Sequence, residues 1–153
     1  VRMLYDYFHK EIGIPITFDY HHHTFHPDEL TEREALELAG STWPDDVIQC
    51  CHYSESRRLE KEGRLRQLCE VNNIAWEDLD NEDDWPTFGP LKKKWMKTRE
   101  TAHSDYIKDH IETYGHELDI VVEAKAKELA VLKWRDIQSQ KNRPKKAKEN
   151  IIY

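Results

Sequence analysis

The 153 residues predict an α/β fold with a parallel sheet, on three observations. Short apolar runs rich in β-branched residues occur at 14–20, 47–53 and 118–124, each of strand length. Segments of helical period lie before, between and after them, at 1–12, 29–40 and 125–137. The strand-to-strand intervals are too long for hairpins and imply right-handed crossovers, in an open doubly wound sheet or in a piece of a (β/α)8 barrel. Three strands are too few to close a barrel, which ordinarily takes ~250 residues. A chain that opens in mid-helix and carries about three βα units is therefore expected to be the C-terminal part of something longer, its N-terminal sequence lying on the same or another chain. Residues 1–140 form the α/β domain, a partial barrel on the second of these readings, and 141–153 a basic tail.

Each element has its own signals. Met3, Leu4, Tyr7, Phe8 and Ile12 recur at helical spacing, and Gly13 follows as a stop. Residues 14–20, IPITFDY, read as a buried strand. Leu30, Ala35, Leu36, Leu38 and Ala39 give the apolar face of a helix over 29–40, with Asp28 and Thr31 both offering N-cap oxygens. The run VIQCCHY at 47–53 is the second strand, and LDIVVEA at 118–124 is the third. Residues 57–100 break this rhythm. A polar helical stretch at 57–71 precedes the acidic WEDLDNEDDW and the basic LKKKWMKTRE. So long an interruption reads as a surface subdomain. Its competing reading is a nucleic-acid contact, with Lys92, Lys93, Lys94, Lys97 and Arg99 around Trp95.

Composition narrows the class. The net charge of −7 argues against nucleic-acid binding by the whole surface, while leaving room for local basic patches. Three cysteines, two of them adjacent at Cys50 and Cys51, cannot build a disulfide framework and point to a reducing, intracellular setting. No apolar run reaches the ~20 residues of a membrane span, so no membrane partner is expected.

In parallel α/β folds the ligand site lies beyond the carboxyl ends of the strands. There the first strand offers Asp19 followed by His21, His22 and His23; the second offers His52, the third Glu123; and His103 stands in AHSDY. Hard carboxylates with borderline imidazoles suit Mn²⁺, Zn²⁺ or Fe²⁺ better than Ca²⁺. The number of candidates suggests more than one ion, which would make phosphoryl transfer a natural chemistry. Each residue also has an ordinary use: Asp19 as a helix cap, His52 as a core histidine, Glu123 as a partner of Lys125. Strand alternation puts Cys50 on the same side as His52, under the site, either as a thiolate ligand or as a small buried thiol.

FDYHHH after GIPIT, the STWP turn, CHYSES, AHSDY and above all VVEAKAKELAVLKWR resemble the C-terminal part of the UV damage endonuclease family. The resemblance covers the chain apart from 57–100 and the basic tail. It implies a TIM barrel with two or three divalent ions, usually Mn²⁺, with Zn²⁺ or Mg²⁺ as alternatives, and a double-stranded DNA substrate. It implies nicking 5′ to UV photoproducts, both cyclobutane pyrimidine dimers and 6-4 products. By motif it assigns metal ligation to Asp19, His22, His52, His103 and Glu123, with Asp19, His52 and Glu123 at the catalytic centre, and leaves His21 and His23 open. Some members carry a lysine two residues before the strand histidine; here that position is Cys50. Two rivals stand beside this reading, a metal-dependent sugar isomerase on the same barrel and a non-catalytic binding or assembly fragment.

Overall fold

The computed structural model describes residues 1–81 and 84–141. Among these residues it is a mixed α/β structure with six helices and a three-stranded parallel sheet, the strands adjacent in sequence order. The first helix, α1, runs over residues 2–12 and widens to a π-helical turn at Tyr5–His9. It stops where expected, at Gly13, whose φ of +68° is a left-handed conformation that costs glycine little. The strands are β1 (Phe18–Asp19), β2 (Gln49–Tyr53) and β3 (Leu118–Val122). Between and after them lie α2 (Tyr20–Phe25), α3 (Glu32–Gly40), α4 (Arg57–Val71), α5 (Phe88–Met96) and α6 (Glu128–Lys141).

Residues 14–20 are predicted as one strand, but only Phe18 and Asp19 pair, opposite Cys51 and His52. The backbone ahead of them is satisfied by side chains instead. The Ile16 N–H donates to Thr42 Oγ1 at 2.8 Å, and the Ile16 carbonyl accepts from Trp43 Nε1 at 2.8 Å. The STWP turn thus replaces a ladder, leaving Ile16 buried without a strand partner. Helix α3 begins later than expected, at Glu32, because Asp28 and Glu29 both take positive φ. Thr31 caps it in a capping box with Glu34. Likewise α6 starts at Glu128, since Lys127 is left-handed and the turn before it is engaged elsewhere: Lys125 N and Ala126 N donate to the carbonyls of Ser104 and Asp105.

The sheet is covered on one face. Phe18, Tyr20 and Cys51 are buried there with Ala35, Leu36 and Ala39 of α3, Ala130 of α6, and Ile107 and Ile111 of the segment before β3. The opposite face carries Asp19, Cys50, His52 and Val121, and Val121 is exposed. The alternation expected at Cys50 and Cys51 therefore holds, with Cys51 as the core thiol, its pKa pushed up to about 12 by burial. Cys50 is half-buried, so the buried-thiol alternative belongs to its neighbour.

Residues 57–100 build a helical unit with its own apolar cluster: Leu65, Cys69, Ile74 and Leu79 are buried, with Trp76, Trp85, Phe88, Leu91 and Trp95 packed against them. This packing corrects the nucleic-acid reading at two positions. Trp95 lies against the cluster rather than offering a free ring. The Lys92 ammonium stands 4.6 Å from the centre of the Trp76 ring, donates to the Trp76 carbonyl at 2.9 Å and pairs with Asp80 at 2.8 Å. Arg66 covers Trp76 as well, at 4.2 Å. Of the expected basic tail only Lys141, the last residue of α6, is described; Arg143, Lys145, Lys146 and Lys148 lie outside the described residues.

Candidate metal centre

Parallel strands end at one edge of the sheet, so the register decides which terminal residues meet. Asp19 pairs with His52, and His52 with Val121. Glu123 continues the ladder one step beyond β3 through its N–H to the Tyr53 carbonyl at 2.9 Å. Asp19, His52 and Glu123 thereby offer one ligand atom each, all within 4.8 Å of one another. The His52 Nδ1 is 3.3 Å from a Glu123 carboxylate oxygen and 4.0 Å from Asp19 Oδ2.

Two more imidazoles flank this triad. His22 Nδ1 lies 3.1 Å from Asp19 Oδ2, with its side chain 65% exposed. On the other flank His103 Nδ1 is 3.1 Å from the Glu123 carbonyl oxygen and 3.4 Å from Glu123 Oε2. Donation from Nδ1 to that carbonyl places the lone pair on Nε2, the arrangement that orients a metal-binding histidine. All five predicted residues thus join one run of contacts, His22–Asp19–His52–Glu123–His103. Three of them converge on a single point; His22 and His103 do not belong to that group. Glu123 meets His52 and His103, and no ion pair with Lys125 occurs among the described residues.

The helix after β1 sorts the histidines that the sequence left open. His21 and His23 are buried and His22 points outward. Burial pulls the pKa of His21 and of His23 below the ordinary value of 6.5 and favours neutral rings. The His23 ring packs on Phe18, and the His21 ring on Phe25 and His103. Neither is part of the converging group, and nor is Cys50.

The segment carrying His103 is held by residues that motif reading passed over. Ser104 is fully buried and its N–H donates to the Glu55 carbonyl at 2.8 Å. The Glu55 carboxylate accepts from the N–H groups of Lys108 and Asp109 at 2.6 and 2.9 Å. The signal for Glu55 was its place just after β2, in the SES following His52. Beside the centre, His21, Phe25, Ser54, Leu59 and Arg64 line a cleft of about 760 Å³. Two buried polar atoms, His21 Nε2 and Ser54 Oγ, have no partner among the described residues.

Two carboxylates facing imidazoles at a partly exposed sheet edge, with no lysine or arginine paired to them among the described residues, are chemically suited to a divalent cation. Asp19, His52 and Glu123 could hold it. No described helix is long and apolar enough to cross a membrane. No curated protein and no solved structure matches the chain. One family model, described as UV-endonuclease UvdE, matches residues 7–153, every strand and every proposed ligand included. On that match, the chain belongs to the UV-endonuclease UvdE family.

Proposed function

We propose that the chain is part of a metal-dependent endonuclease that nicks double-stranded DNA 5′ to UV photoproducts, cyclobutane pyrimidine dimers and 6-4 products. The observation that carries this reading is the convergence of Asp19, His52 and Glu123 within 4.8 Å in a chain of the UV-endonuclease family. Residues 1–140 are taken as part of a (β/α)8 barrel with 57–100 inserted, acting inside the cell.

In this reading Asp19, His52 and Glu123 are the central ligands, and His22 and His103 extend the site on either side, enough donors for two or three ions, Mn²⁺ foremost. Bound divalent ions supply Lewis acidity towards a phosphate oxygen and a water acidified towards pKa ~7. Asp19 would offer Oδ2 to an ion while Oδ1 accepts the His22 N–H. Glu123 presents one carboxylate oxygen beside His52 and the other beside His103. Cys50 stands where relatives can carry a lysine, so any step that uses that amine is absent here.

The test is nicking of irradiated plasmid by the full chain and by Asp19→Ala and Glu123→Ala, with Mn²⁺ and with chelator. Loss of nicking in both variants is expected; full activity in either overturns the assignment. Salt-sensitive binding that favours irradiated over intact DNA separates this from sugar isomerisation, which releases no counterions from a phosphate backbone.

A further inference from the structure

His21 and His103 form the wall between two depressions. His21 lines the 760 Å³ cleft, and His103 lines the shallower one that contains Glu123. Their rings meet edge to face, centres 5.5 Å apart at 63°. On its other side the His21 ring stands at 87° to Phe25, 5.1 Å away. His21 is only 5% exposed, so its ring is wedged rather than free to turn. His103 has looser ties: one backbone carbonyl and one carboxylate oxygen, both belonging to Glu123 and both reached from Nδ1. Bonds to a single ring nitrogen leave the plane of an imidazole poorly defined. A packed aromatic neighbour supplies the missing constraint.

We infer that His21 is a positioning residue: its ring, not its nitrogens, holds the His103 imidazole in the plane that keeps Nδ1 on Glu123. Held in that way, His103 fixes one Glu123 carboxylate oxygen and leaves the other facing His52. The order of support is Phe25, His21, His103, Glu123. The competing role for a buried, unpartnered imidazole nitrogen is direct ligation, and two observations oppose it. No His21 atom belongs to the group that converges with Asp19, His52 and Glu123. His21 also lines a cleft whose walls include none of Asp19, His52 and Glu123. His21 Nε2 has no hydrogen-bond partner among the described residues, so an apolar ring orphans nothing at that nitrogen; the one tie it removes is the ring's hydrogen bond to the Thr101 backbone.

The inference rests on the metal-centre reading above, and the experiment separates the two. Mn²⁺ affinity of the full chain is measured by the disappearance of the free-ion resonance signal, for the unaltered protein, His21→Phe and His21→Ala. Thermal unfolding in chelator checks that each variant folds. The Phe variant is expected to bind within about 3-fold of the unaltered chain, and the Ala variant to lose roughly 10–100-fold, the usual effect of removing support behind a ligand. Histidine nitrogen spectra of the metal-free protein give a second readout. One Nδ1-protonated His103 tautomer is expected in the unaltered and Phe proteins, and a mixture or exchange broadening in the Ala protein. A Phe variant as weak as the Ala variant makes the nitrogen essential and overturns the inference. So does an Ala variant with unchanged affinity and an unchanged His103 signal. Absence of Mn²⁺ binding in the unaltered chain overturns the metal reading, and the His103 spectra then decide on His21 alone.

Discussion

Asp19 and His22 meet twice. The Asp19 Oδ1 accepts the His22 backbone N–H at 2.9 Å as the cap of α2, and Oδ2 lies 3.1 Å from the His22 ring. The ordinary use of Asp19 as a cap and its proposed use as a ligand are therefore compatible, one oxygen for each. They are also separable. Asp19→Asn keeps a cap-competent oxygen and removes the charge, whereas Asp19→Ala removes both. The Asn variant is expected to unfold within about 0.5 kcal/mol of the unaltered chain and the Ala variant about 1 kcal/mol earlier. Both should lose nicking by more than about 100-fold, beyond what removing a supporting residue costs. Denaturation curves and plasmid nicking check this, and normal nicking by the Asn variant would remove the charge from the mechanism.

Metal should stabilise the fold wherever it binds the native state alone. At an Mn²⁺ concentration of about 100 times its dissociation constant the gain is roughly 2.7 kcal/mol. A rise in melting temperature with Mn²⁺ is expected for the unaltered chain, and little rise for Glu123→Gln. An equal rise in both would place the ion elsewhere.

Thr42 carries a structural load out of proportion to its size. Its hydroxyl accepts from the buried Ile16 N–H at 2.8 Å and donates to the Ala39 carbonyl at 2.5 Å. Thr42→Val fills the same space but orphans the Ile16 donor, which should cost about 1–3 kcal/mol in urea denaturation. Thr42→Ser keeps the hydroxyl and should cost less. Equal losses would mean that packing, not the hydrogen bond, holds residues 14–17 against the turn.

Lys92 distinguishes a structural cation from a phosphate contact. Its ammonium is committed to Trp76 and Asp80. Lys92→Ala is therefore expected to destabilise the helical insertion by about 1–2 kcal/mol, through a lost cation–π contact and hydrogen bond. The dependence of DNA binding on salt should stay as it was. A slope smaller by about one would instead show a phosphate contact.

Much of this was legible in the linear sequence because periodicity and stop signals are local. Gly13 ends α1 and Thr31 with Glu34 begins α3 for reasons contained within a few residues. Element limits were less legible. IPITFDY alternates like a strand throughout, yet a strand extends only as far as a partner does, and β2 pairs with two of its residues. Helix α2 escaped notice because three successive histidines carry no apolar period. The competing nucleic-acid reading of the insertion arose because the sequence does not say that Trp95 and Lys92 turn towards a second core.

The sequence by itself determined three strands in order, the helices before, between and after them apart from α2 and α5, and the presence of Asp19, His52 and Glu123 at the strand ends. The tertiary structure decided the register that brings these three within 4.8 Å, the outward turn of His22, and the burial of His21 against His103. The physical reason is range. Helix and strand propensities act over a few residues, whereas a shared ligand site and a packed ring depend on neighbours that chain folding alone brings together.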